Sequence, residues 1–205
     1  MRMVKLNFNW HGYMYQDGIN SIRLSYDSAA QALELQTERA YDEIRAYNAK
    51  VEGGDQSGIE RDEDRHVVFD EADVLMYQSL AAEEALNTLR KAFAIVLYHH
   101  WERSAREWVQ SKNGKHDTLV SSLAANGQGT EPLVNDLRTL VNTLKHNNDG
   151  WGVPLHTDRA DLFKSEFKIT QAQPIDWYDA IEVSGPALLA FFSAVSASGP
   201  TSNSA

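Results

Sequence analysis

The chain has 205 residues, no cysteine and a net charge of −10, with 42% hydrophobic and 23% charged side chains. That balance suits one well-filled globular core and excludes a disulfide framework, a thiolate metal site and a disordered polymer. The acidity argues against non-specific binding to nucleic acid, but it is uneven. Residues 27–73 hold 14 acids and 5 bases, whereas residues 90–115 hold six bases against Glu102 and Glu107.

Residues 1–10 lack the apolar core of a signal peptide, and no uncharged apolar run approaches the roughly 20 residues that span a bilayer. The expectation is a cytoplasmic protein with no membrane partner. Residues 1–18, rich in Phe8, Trp10, Tyr13 and Tyr15, read as an extended arm. Residues 20–51 are rich in Ala, Leu, Glu, Gln and Arg with no proline or internal glycine, which predicts a helix ended by Gly53-Gly54. Residues 53–66 read as a polar, mobile loop.

Residues 70–111 read as the longest helix, with Leu75, Ala82, Leu86, Leu89, Phe93, Val96, Leu97, Trp101 and Trp108 on one side. Its length of about 60 Å implies a kink or an overhang. Asn113-Gly114 closes it, and a short helix follows at 117–125. Thr130 is placed to cap a helix with Pro132 in its first turn, and that helix runs to His146, where Asn147 to Gly150 stop it. Residues 151–165 read as a loop with a turn near 158–163. Phe167–Ile169 and Ala180–Val183 read as short strands. Ser184 caps a last helix with Pro186 in its first turn, and 198–205 read as a flexible tail with nothing to bury.

The helix ending at His146 is the most informative stretch. At 100° steps Leu133, Leu137, Leu140, Val141 and Leu144 fill one arc. Arg138, Asn142 and His146 line up on the other, with Lys145 beside them. Arginine presents a bidentate fork to phosphate, and histidine transfers protons near neutral pH. The same row is also what any surface helix shows opposite its core stripe. On the long helix, His100 falls on the apolar side, so a buried histidine held by a neighbouring carboxylate is expected, with Arg103–Glu107 and Glu102–Arg106 as exposed ion pairs. There is no HExxH, no GxSxG, no phosphate loop and no GxGxxG, and no cofactor is implied.

The phrase Leu137-Arg138-Thr139-Leu140-Val141-Asn142-Thr143-Leu144-Lys145-His146 resembles the R-N-x-x-x-H motif of the HEPN superfamily (higher eukaryotes and prokaryotes nucleotide-binding), small helical bundles of prokaryotic toxin–antitoxin and phage-defence systems. Asn142 and His146 match, and Val141 stands where the motif has arginine. The resemblance covers residues 70–197. It implies a mainly α, up-and-down bundle with a small β element near the C-terminus. The single domain would then be 1–197, with 70–197 as HEPN-like core and 1–69 as arm and acidic helix. It implies a metal-independent endoribonuclease or RNA-binding effector acting as a homodimer, with RNA and a cognate antitoxin or other protein as partners. His146, Asn142 and Arg138 are the site residues it points to, with Lys145, His100 and Arg103 in support. Arg138, one turn before Val141, is the residue that would replace the lost arginine. The other reading is a non-catalytic helical interaction or regulatory protein that keeps the fold with a degenerate site.

Overall fold

The computed structural model describes residues 8–170 and 173–202, and the fold is mainly α. Helix α1 spans Trp10–Glu52, strands β1 Ile59–Arg61 and β2 Val67–Asp70 pair as an antiparallel hairpin, and α2 spans Glu71–Trp108. Then follow α3 His116–Ala125, α4 Leu133–His146, α5 Asp149–Asp158, a 3₁₀ turn at Ala160–Leu162, α6 Trp177–Ala180 and α7 Gly185–Ala197. No helix among the described residues is long and apolar enough to cross a membrane.

The arm expected over 1–18 is helical from Trp10 onward, which makes α1, at 43 residues, longer than α2, at 38. Asn9 supplies the start signal, its Oδ1 accepting from Gly12 N at 3.0 Å. Gly18 stays in the helix because its missing Cβ makes room for the His100 ring.

The chain divides into two compact units: Asp27–Leu89, and Met1–Tyr26 with Arg90–Ala205. In the first, the buried side chains are Ala30, Ala40 and Tyr47 on α1 and Leu75, Ser79, Ala82, Leu86 and Asn87 on α2. Tyr47 Oη donates to Asp70 Oδ1 at 2.7 Å. The loop expected over 53–66 carries β1 instead. The chain reverses between the strands because Asp62 Oδ1 accepts from His66 N at 2.8 Å and Arg65 takes a left-handed φ of 65°.

The second unit holds the larger core. Leu97 and Trp101 of α2, Leu119 of α3, Leu137 and Leu140 of α4, and Leu188 and Phe191 of α7 are fully buried. The apolar arc of α4 packs on α5 and α7. Val96, expected on the buried side of α2, is 47% exposed.

Helix α4 begins at Leu133 rather than after a Thr130 cap. Pro132, which has no N–H, holds the N-cap position, and the buried Ser198 hydroxyl accepts from Glu131 N at 2.8 Å. At the other end Asn147 takes the left-handed φ of 47° that terminates α4, as the sequence predicts. Residues 149–158, expected as loop, form α5 despite Pro154 and two glycines. Burial of Leu155 and the contact of Gly152 with Trp177 override local propensity.

Near the C-terminus the β element comes down to one antiparallel bridge, Phe163 to Ile181: residues 167–169 form no strand, and of the strand expected over 180–183 only Ile181 pairs, Ala180 being the last residue of α6. Ser184 caps α7 as expected, accepting from Ala187 N at 3.2 Å. Residues 198–202 are packed, in contrast to the tail expected there. Ser198 is buried, Gly199 lies against the Tyr15 ring, and Asn9 N donates to Ser202 O at 2.9 Å.

Candidate functional site

The 100° geometry of α4 divides the predicted row. Four-residue steps drift by about 40° each, so Arg138 and His146 end roughly 80° apart around the helix. Arg138, Asn142 and Lys145 line a cleft of about 250 Å³ together with Tyr98, Glu102 and Arg106 of α2, Lys115 and His116 at the start of α3, and Trp151 of α5. His146 is exposed and does not line this cleft.

Arg138 is held on two sides. Its Nη1 donates to Asp117 Oδ1 at 2.7 Å, and its guanidinium lies over the Trp151 ring, 5.6 Å from the centroid. The guanidinium is thereby fixed at the cleft wall, with its remaining N–H groups available for an anion. Asn142 Nδ2 donates to the Arg138 carbonyl at 3.0 Å, which ties the amide to its own helix. Val141, at the position of the motif arginine, is a buried wall residue packed with the core.

His100 and Arg103 do not line this cleft; they line a neighbouring depression with Met14 and Asp17, and Glu102 and Arg106 border both. The His100 partner is the Tyr15 backbone carbonyl, to which Nε2 lies at 3.1 Å, rather than the expected carboxylate. Its ring stacks on Tyr15 at 5.2 Å, and burial lowers its pKa. This is a histidine locking α1 to α2.

The cleft contains a residue the sequence did not single out. His116 is 4% exposed, with Nδ1 3.1 Å from Tyr98 Oη and Nε2 2.7 Å from Asn135 Oδ1. An amide oxygen only accepts, so Nε2 carries the proton and Nδ1 accepts from the tyrosine hydroxyl. Both partners are distant in sequence, and Lys115-His116-Asp117 has no distinguishing local pattern. Burial pushes the Tyr98 hydroxyl well above its ordinary range. It lowers the His116 pKa, assisted by Arg138 and opposed by the bond to Asn135.

Charge completes the site. Four cations (Arg106, Lys115, Arg138 and Lys145) line the cleft against one carboxylate, Glu102, which accepts from Arg106 at 3.0 Å and pairs with His99 at 3.5 Å. The unit Asp27–Leu89 carries 16 acids and 5 bases, and the remainder of the chain 13 acids and 14 bases. The protein's whole negative excess therefore belongs to the unit without the cleft. Among the described residues no group of three His, Asp or Glu side chains is disposed to hold a metal ion.

No family model, curated protein or solved structure matches this chain. The chemistry of the cleft therefore has to be read from its own residues. It offers hydrogen-bond donors and positive charge on a partly apolar wall, which suits a phosphate or another planar or tetrahedral oxyanion.

The lowered pKa values of His116 and His100 set a pH dependence. Both stay neutral when folded at pH values where the unfolded chain already protonates them. Their contribution is thus complete above the unfolded pKa of about 6.5 and lost as pH falls towards the lower folded values. Urea midpoints are expected to drop between pH 7.5 and pH 5, and to drop less in His116→Gln. An equal drop in that variant would remove His116 as a cause.

Proposed function

We propose that this chain is a HEPN-like RNA-binding effector of a prokaryotic defence or toxin–antitoxin type system, and that the cleft holds a phosphate of the RNA backbone. The observation that carries this reading is Arg138, braced by Asp117 and Trp151 in a cleft with four cations and one carboxylate. Arg106 and Lys145 add charge, and Trp151 offers a flat apolar face beside it. The resemblance of the α4 phrase to the HEPN motif supplies the RNA, because the cleft by itself asks only for an anion.

A second reading, metal-independent RNA cleavage, is favoured by the exposure of His146 at the end of α4. In a homodimer the histidine of one copy would work opposite Arg138 of the other. It would take the ribose 2′-hydroxyl proton while the arginine stabilises charge developing on the phosphate.

The test is binding of an unstructured, end-labelled RNA in the presence of a chelator. Arg138→Glu is expected to weaken binding at least tenfold and to flatten its salt dependence, as loss of a phosphate contact does. Unchanged affinity would defeat the RNA-binding reading. Product formation that disappears in His146→Ala would favour the second reading, and an intact RNA would leave binding alone.

A further inference from the structure

The acidic unit carries an apolar surface on a face of α2 that a surface helix ordinarily gives to polar side chains. Leu75, Ser79, Ala82 and Leu86 are buried and follow one helical stripe. Roughly opposite, Met76, Tyr77 and Leu80 are 50%, 73% and 51% exposed. They fall within about 100° of arc at helical spacing. The exposure begins before the helix: Val68 and Phe69 of β2 also stand open. An apolar cluster of this kind, with an aromatic ring at its centre, is the usual core of an interface.

The surrounding charge identifies what covers it. Residues 67–89 contain five carboxylates and no Lys, Arg or His. Asp73, Glu83 and Glu84 lie on the same side of α2 as Met76, Tyr77 and Leu80, forming an acidic rim. A second copy docked through this face in a two-fold dimer would set acid against acid. An anionic membrane surface would be repelled in the same way.

We propose that the face made by Met76, Tyr77 and Leu80 is a docking surface for a basic, amphipathic polypeptide segment of another protein. The segment's apolar side chains would cover the tyrosine and leucine, while its lysines or arginines meet the acidic rim. This surface is separate from the cleft and does not depend on what the cleft binds.

The experiment titrates the full chain with two synthetic helical peptides that share one leucine spacing. One carries lysine at its polar positions and the other glutamate. The lysine peptide is expected to bind and the glutamate peptide not, with affinity falling as salt is added. Tyr77→Ser with Leu80→Ser is expected to weaken the lysine peptide about tenfold or more. Both side chains are solvent-exposed, so the fold is retained, and circular dichroism checks that. Equal binding of the two peptides, or an unaffected double variant, would overturn the proposal. So would a dimer by light scattering that Leu80→Asp dissociates, because a second copy would then be the occupant.

Discussion

Gly152→Ala is expected to be among the most damaging single-methyl changes in this protein, costing about 3 kcal/mol. A Cβ at this position would enter the Trp177 indole. The ring cannot retreat, because it is fully buried and its Nε1 donates to Asp149 Oδ1 at 2.8 Å. Phe163 and Phe167 also pack against it. Alanine's better helix propensity returns only about 1 kcal/mol. Guanidinium denaturation should show the loss, together with a fall in melting temperature of about 10 °C. Gly150→Ala is the control: its Cβ would meet only Asn148 Oδ1, at 3.2 Å. A Gly152→Ala protein as stable as the parent would mean that α5 and Trp177 do not pack as described.

Trp101→Ala is expected to cost about 3–5 kcal/mol, and Trp101→Phe no more than about 1.5 kcal/mol. Trp101 is fully buried below the cleft, 5.1 Å from the His116 ring and 6.0 Å from that of Tyr98. Its indole N–H makes no hydrogen bond among the described residues. Phenylalanine would therefore give up volume but relieve an unsatisfied donor. The two variants compared by urea unfolding separate these effects. If phenylalanine were as harmful as alanine, the indole N–H would have to be satisfied in solution.

Where a residue's role depended on its sequence neighbours, it was legible. The apolar arc of α4, its Asn147 stop and the Ser184 cap of α7 each follow from spacing within one or two turns. Where the role depended on distant partners, it was not. Residues 149–158 look like a loop because proline and two glycines dominate local propensity, and only the docking of Trp177 makes them a helix. Thr130 looks like a cap, but α4 starts three residues later at Leu133, and the preceding Glu131 N–H donates to Ser198, 67 residues further along the chain. The site divides in the same way. Arg138 and Asn142, one turn apart, reach one cleft with Lys145, whereas His146, expected in their row, stands outside it. His116 joins them through Tyr98 and Asn135, which lie 18 and 19 residues away.

Helix α2 passes through the boundary between the two compact units, and its ends are held by different means. Around Leu97 and Trp101 it is bedded among large, fully buried side chains. Around Ser79 and Ala82 the buried side chains are smaller, with Leu75 and Leu86 the largest apolar ones on that stripe. Opening of the first stretch exposes much apolar area to water, and opening of the second exposes little. One continuous rod of hydrogen bonds therefore carries a gradient of lifetimes. Amide protons near residue 80 are expected to exchange through local fluctuations, and those near residue 100 only as the core opens, a difference that hydrogen exchange reads directly.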